Sequence, residues 1–411
     1  MLEILGLFAG IALGVGLNLV PGLHPAMVLA LLVGFPLSGN FLIMVVVGAA
    51  GSGLYTRHLS TVYNASAVEA AASDAALAMT AKGEGRTALA TMVYATDLTL
   101  LLVSVLSIGA FFCFAATVPV AKGLHTVLDP IGAIAILAWV WNCCSNAARP
   151  WLTFGAILGF GAFGFVVLHH PNLTGDVHGL SPIMIGCFTV VIALQGWGSA
   201  GLPEQNPNVN PTHCPDFGLI TAGAISGVVT GFLAGLGSSS VVSALQSFCN
   251  DKDEDLGIVQ YLYMTTAAAV ANDAMAIILL LTAYIGRSGE AVTLGRLVQE
   301  PSGATAFWLT VTMFLSAYCG RLALPYLQDW YQGLVRTLDP KSGVILVLIL
   351  ASSQLLLTRD PVVACLLTGA GACLGLWARN LNLSQQVPFG ALAIPLVVSA
   401  SGLQPWVLAF L

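Results

Sequence analysis

Long apolar runs broken by Gly, Pro and short charged turns make up most of the chain, and nowhere do apolar and polar residues alternate at period two. Runs of this kind fit helices that cross a bilayer, each needing about 20 apolar residues, and the missing alternation sets aside a membrane barrel. The pattern predicts spans at about residues 4–20, 40–55, 88–118, 128–145, 151–168 and 180–197 in the first half. In the second half it predicts them at 218–234, 257–285, 304–324, 344–357, 361–378 and 387–410. Leu98–Val118 is long enough to cross, whereas Val344–Leu357 and Val387–Val398 are shorter, so full spans and half-spans are both expected. Ser60–Thr80 is alanine-rich and polar, while Lys82–Arg86 and Asn250–Asp255 read as exposed turns. Gly198–Asp216, with four prolines, is the longest polar linker. It separates a first half (1–197) from a second (218–411) across the linker 198–217, within one transmembrane domain.

Each half opens on a glycine ladder. Gly10, Gly14 and Gly22 keep four- and eight-residue spacing with Asn18 in the missing rung, and Gly223, Gly227, Gly231 and Gly235 fill every rung. Residues four apart share one helix face, so each ladder is a smooth ridge that another helix backbone can approach closely. Both ladders lead into a break, "LVPGLHPAMV" (19–28) and "FLAGLGSSSVV" (232–242), followed by a predicted half-helix. One constant shift carries Gly10, Gly14, Gly22, Leu23 and Val28 onto Gly223, Gly227, Gly235, Leu236 and Val241. The expected fold is therefore an all-α polytopic membrane protein of two structural repeats. Each repeat has a glycine-rich helix and a re-entrant hairpin, and an inverted relation between them is the expectation.

Composition narrows the class. The 411 residues are 57% hydrophobic and 8% charged, with mean hydropathy +0.89; a soluble domain carries about a quarter charged residues. A net charge of −6 without a basic patch excludes nucleic acid as a partner. The nine cysteines show no metal spacing. Most of them, Cys113, Cys187, Cys319, Cys365 and Cys373 among them, lie in apolar runs and are expected to pack in the interior. The first apolar segment lacks a basic leader and reads as a mature membrane helix. No Walker A, GxSxG or HExxH motif occurs, so neither ATP hydrolysis nor an intramembrane protease is indicated, and no cofactor is expected. Lys and Arg are too sparse in the loops to orient the chain.

The candidate chemistry sits at the breaks. Backbone that leaves helical geometry at membrane depth lines a cavity or is buried in protein. Pro25 suits a first helical turn and Ser238, Ser239 and Ser240 suit N-caps. A helix start there would offer N–H groups to a carboxylate. Gly22, Leu23, His24, Pro25, Gly235, Gly237, Ser238, Ser239 and Ser240 are thus candidate substrate contacts, with Asn64 and Asn272 at matching places in the two repeats. Asp97 and Asp273 are ionisable residues inside apolar spans and are expected to carry the coupling charge, helped by Thr265, Thr266 and Ser66. Transported H⁺ or Na⁺ would be the coupling ion. The competing reading makes these aspartates helix–helix polar clamps. Arg57, His58 and Arg86 have the charge to attract an anion but read rather as surface anchors, and Glu69 and Asp74 as facing water.

These segments carry a family resemblance. "GIALGVGLNLVPGLHPAMVLALL" (10–32), "AKGEGRTAL" (81–89) and "SGVVTGFLAGLGSSSVVSAL" (226–245) resemble the large membrane subunit of tripartite tricarboxylate transporters, the TctA family. "AAAVANDAMAI" (267–277) with "GRSGEAV" (286–292) is similar to its divergent archaeal members. Ala234 stands where the family carries proline. The resemblance implies gradient-driven uptake of a di- or tricarboxylate across the cell membrane, with substrate held between the breaks. It also implies a small membrane subunit and an extracytoplasmic binding protein as partners; a homodimer is a further expectation. The residues alone reach a permease for a small organic anion, and leave open a carrier or flippase for an anionic lipid head group such as a polyprenyl phosphate.

Overall fold

The computed structural model describes residues 1–20, 37–64, 70–114, 118–169, 180–196, 202–207, 217–232, 254–284, 288–298, 302–337, 340–355, 360–384 and 386–404, with isolated positions 28, 29, 32 and 242. The described residues are helical almost throughout, and seven helices are long and apolar enough to cross a membrane. The protein is an all-α polytopic membrane protein. Its first half runs α1 (Leu2–Leu19), α2 (Gly39–Asn64), α3 (Ala70–Ala81), α4 (Gly85–Phe114), α5 (Val118–Ser145) and α6 (Pro150–His169). It ends with α7 (Leu180–Ile183), which passes through a π-helical stretch, Met184–Val190, into α8 (Val191–Gly196). The second half runs α9 (Phe217–Phe232), α10 (Glu254–Ala283), α11 (Gly289–Leu297), α12 (Gly303–Thr337), α13 (Pro340–Leu355), α14 (Pro361–Asn380) and, after a 3₁₀ turn at Val387–Phe389, α15 (Gly390–Ala400).

The ladders act as the spacing predicts. On α1 the buried residues are Gly6, Gly10, Gly14 and Asn18, one stripe four residues apart. A Cβ on Gly10 would strike the Val45 backbone, and one on Gly14 the Ala49 backbone. On α9, Gly223 and Gly227 stand against the carbonyls of Met264 and Ala268 in the same way. Contact numbers rise together in both pairs, so α1 runs parallel to α2 and α9 parallel to α10. The end of α1 and the start of α2 therefore lie at opposite ends of their pair.

The other close packings are reciprocal between the halves. Helix α2 packs on α12, where Gly51 meets the Met313 carbonyl and Gly320 the Ser52 carbonyl, and α10 packs on α4. Similarly α3 touches α10 while α11 touches α2, and α6 packs on α15 while the π stretch packs on α14. Among the described residues two large buried cores result, beside a small cluster of Val242, Met264 and Ala268. One draws on α2–α4 and α9–α12, the other on α5–α8 and α13–α15, and each takes residues from both halves.

Several elements depart from the expected bounds. Helix α2 continues past residue 55 through Arg57 and His58 to Asn64, because both charged or polar side chains find partners on neighbouring helices. The alanine-rich stretch forms α3, since alanine is the best helix former. Helix α12 runs through Pro325 to Thr337, and α11 was not expected at all. At 35 residues α12 is about 52 Å long, well beyond a hydrocarbon core of about 30 Å. Cys187 is buried, but Cys319, Cys365 and Cys373 are exposed; apolar sequence at these three positions reflects a lipid-facing surface rather than a protein core. The linker is tied down at Gln205, which accepts from the Gly85 N–H at 2.7 Å and donates to the Thr80 carbonyl at 3.1 Å. That contact holds the 82–85 turn, where Gly83 has φ +83°.

Candidate functional site

A polar layer crosses the first core at one turn of α2. Four consecutive residues, "YTRH" at 55–58, point successively around the helix, and three of them reach different neighbours. Tyr55 donates from its hydroxyl to Asp97 Oδ1 on α4 at 2.6 Å. His58 shares a hydrogen bond of 2.8 Å between Nε2 and Thr96 Oγ1, also on α4. Arg57 forms an ion pair with Asp273 on α10, from Nη1 to Oδ2. Thr56 turns inward and donates to the Ser52 carbonyl of its own helix at 3.1 Å.

The second ion pair of the layer joins α4 to α12. Arg321 Nε lies 3.2 Å from Asp97 Oδ1 and 3.4 Å from Oδ2, and Nη2 lies 3.4 Å from Oδ2. Together with Tyr55 this engages both carboxylate oxygens of Asp97. Among the described residues each aspartate in the layer meets one arginine. A charge left alone at membrane depth costs several kcal/mol, so this pairing is what permits four ionised groups there. Phe111 against Phe307 and Arg86 with Asp329 at 2.7 Å extend the contact, and the numbering shows α4 and α12 to be antiparallel.

The layer sits just past the ends of both ladder helices. A Cβ on Gly53 would come within 2.7 Å of the Asn18 amide nitrogen, so the last rung of α1 rests on Gly53. Arg57 lies on the same face of α2 one turn, about 5.4 Å, further along. On the other side Gly231 of α9 faces Asn272, the residue before Asp273, and Asn272 donates from Nδ2 to Asp273 Oδ1 at 3.2 Å. The Arg57–Asp273 pair thus links α2 to α10 where both chains leave their glycine-rich helices.

The sequence-derived candidates divide as follows. Gly22, Leu23, His24, Pro25, Ser66, Gly235, Gly237, Ser238, Ser239 and Ser240 lie outside the described residues, as do the side chains of Asn64, Glu69 and Asp74. Asp97, Asn272 and Asp273 fall in the polar layer. The residue of α2 that stands where Asn272 stands in the other pair is Gly53, not Asn64. Thr265 is buried and returns its hydroxyl to the Tyr261 carbonyl of its own helix at 2.8 Å. The Thr266 hydroxyl is buried, with no partner among the described residues, two turns from Asp273 on one stripe of α10.

Arg57 and His58 are corrections: they are buried, at 5% and 0% exposure, not surface anchors. Arg86, in its pair with Asp329, is the one of the three that lies near the surface. Tyr55 and Arg321 were not singled out from the sequence. An arginine in the middle of an otherwise apolar run, "SAYCGRLALP" (316–325), was the available signal.

The model of the tripartite tricarboxylate transporter TctA family matches residues 4–389. No curated protein and no solved structure matches the chain significantly.

Proposed function

The chain belongs to the TctA family, a family of multi-pass cell-membrane transporters and not of enzymes, and on that premise we propose that it is the permease of an ion-driven system for a small organic anion. The substrate is a di- or tricarboxylate, held between the two breaks and moved by alternating access. Its partners are a small membrane subunit and an extracytoplasmic binding protein. The lipid-anion alternative has no observation in its favour.

The Arg57–Asp273 pair carries this reading. A buried guanidinium joined to a partly accessible carboxylate, where two glycine-rich helices end, offers groups for a carboxylate and for a cation at one level. The described ends of α1 and α9 are C-terminal, and their carbonyls favour positive charge. That supports Asp273 as a carrier of the coupling H⁺ or Na⁺, with Asp97 the second candidate. The anion-binding helix starts would then come from the segments that hold Gly22–Pro25 and Gly235–Ser240.

Two observations support an inverted repeat. The close packings are reciprocal between the halves, and α4 and α12, which hold the same place in each half, run in opposite directions. A repeat about an axis along the membrane normal would leave them running the same way. The parallel course of α1 and α2, and of α9 and α10, further supports a re-entrant hairpin after each ladder. A connection between parallel neighbours has to recross the length of the pair.

The test is uptake into liposomes by the purified chain. Labelled citrate and succinate are offered with and without imposed proton or sodium gradients, and with the partner subunits added. Gradient-dependent accumulation is expected, and Gly22→Leu and Ser239→Leu should each abolish it in a folded protein. Normal uptake by both variants would remove the substrate from the breaks.

A further inference from the structure

We propose that the groove at the end of α14 is a site for an anionic phospholipid, with one acyl chain along its apolar walls and the charged head group on Arg379. The lipid is a bound companion of the fold and not cargo. Its groove belongs to the second core, whereas the polar layer, with the Tyr55–Asp97–Arg321 clamp that joins α2, α4 and α12, belongs to the first.

The groove follows from the way α14 stops. Gly375 brings this helix hard against the π stretch and α8: a Cβ there would sit 2.5 Å from Val191 Cγ2 and 2.9 Å from the Cys187 carbonyl oxygen. One turn later the chain reverses. Asn382 takes the left-handed conformation, with φ +55°, and the Leu383 N–H donates to the Ala378 carbonyl at 3.1 Å, which folds the chain back over the end of α14. The returning strand of chain enters the core at Val387 and Pro388, both buried. Between the π stretch, the end of α14 and this return lies a groove of about 440 Å³, its open side included. Phe188, Ile192, Leu383 and Pro388 give it apolar walls.

Depth and charge name the occupant. Helix α14 has 20 residues and is about 30 Å long, which matches the hydrocarbon core of a bilayer. Both of its ends are polar. Asp360 caps the first turn, accepting from the Val363 N–H at 3.1 Å, and Arg379, Asn380, Asn382 and Ser384 gather at the other end. Trp377 is exposed in the last turn, and indole rings settle at the level of the head groups. The groove therefore opens where hydrocarbon meets head groups, and what borders it there is lipid. Its walls suit a hydrocarbon chain and give a small polycarboxylate nothing to hold. Arg379 is the one charged residue among the described lining residues; it is exposed and forms no ion pair among the described residues. A guanidinium at such a mouth favours a head group with net negative charge over a zwitterionic one. Ser384, also exposed on the groove, adds a hydroxyl donor.

The experiment uses the purified full-length chain in neutral detergent micelles and reads lipid binding by native mass spectrometry. Phosphatidylglycerol and phosphatidylcholine with the same acyl chains are offered together, and the last lipid retained on collisional activation is identified. The native chain should keep phosphatidylglycerol about fivefold over phosphatidylcholine, the effect of one interfacial cation. Arg379→Gln, a change at an exposed side chain, should remove that preference, and Arg379→Lys should retain it. Ile192→Trp fills the groove with a ring and should displace both lipids alike; if it does not fold, the two Arg379 variants carry the test. Inorganic phosphate at matched concentration should not displace phosphatidylglycerol, because it lacks the chain that the walls hold. Displacement by phosphate would make this a site for a free anion and overturn the proposal. An unchanged preference in Arg379→Gln would overturn it as well. So would a change in the number of associated chains with no change in bound lipid, which would make the groove an interface between copies. No citrate or ion gradient enters the measurement, so its outcome is independent of the carboxylate reading.

Discussion

Alanine at Gly10 and alanine at Gly16 should have opposite effects, although both replace glycine in α1. A Cβ on Gly10 would sit 2.8 Å from the Val45 Cα and 2.9 Å from its carbonyl carbon, whereas one on Gly16 meets nothing within 4 Å. Carbon atoms pack at about 3.5–4.0 Å, so the Gly10 methyl overlaps by up to about 1 Å. Its neighbours are backbone atoms that cannot rotate away, and α1 must therefore lift off α2. Overpacking of this kind costs about 1–3 kcal/mol. Both variants also gain about 0.5–1 kcal/mol from replacing glycine inside a helix. That gain is common to the two and cancels in the comparison. Gly10→Ala should then be less stable than Gly16→Ala by about 1–3 kcal/mol, with Gly16→Ala at or above the native chain. The same logic makes Gly227→Ala disruptive and Gly231→Ala tolerated, since the nearest atom to a Cβ on Gly231 lies at 3.4 Å. Unfolding midpoints in mixed micelles, with all variants purified in one detergent, measure the ranking. Equal midpoints for Gly10→Ala and Gly16→Ala would refute the close approach of α1 to α2.

Other consequences follow from the same contacts. Tyr55→Phe removes the hydroxyl bonded to Asp97 and should cost about 1.5–3 kcal/mol, the range for a hydrogen bond to a charged group; an unchanged unfolding midpoint would detach Tyr55 from the clamp. Gln205→Ala leaves the buried Gly85 N–H without its acceptor and should loosen the turn at 82–85, giving faster tryptic cleavage after the exposed Lys82 in the native state. A lipid-soluble maleimide should label Cys319, Cys365 and Cys373 in membranes and reach Cys187 only after unfolding; mass spectrometry of the peptides separates these outcomes.

The sequence was most informative where one physical requirement acts at a fixed spacing. Close helix approach demands small residues every fourth position, so Gly10, Gly14, Gly223 and Gly227 could be read directly as contact faces. It was less informative about what hydrophobicity means in a bilayer. The run around Cys365 and Cys373 is apolar because it faces outward, and the run around Ala267–Ala271 because it is buried, and the two look alike along the chain. The intramembrane aspartates could be found because a charge among apolar neighbours stands out. Their partners are hundreds of residues away, as for Arg57 with Asp273 and Asp97 with Arg321, and no local pattern encodes which helix will lie alongside. Arg57 was misplaced for a related reason. A helix end and a buried charged turn have similar composition, and contacts such as that with Asp273 on α10 distinguish them.

The final rung of each ladder ties these strands together. On α1 the rung is Asn18, which donates to the Gly14 carbonyl at 2.6 Å and lies over Gly53 of α2. On α9 the rung is Gly231, and the asparagine is on the facing helix, at Asn272. Each crossing thus has one glycine and one asparagine, with the two exchanged between the halves. The exchange fixes what each amide can reach. Asn18 bonds back into its own helix and serves the end of α1, while Asn272, borne on the long helix, holds the carboxylate that meets Arg57. Two crossings built on the same spacing rule therefore do different work. The asymmetry places an amide beside Asp273 on the α10 side, where that carboxylate accepts from Asn272 at Oδ1 and meets Arg57 at Oδ2.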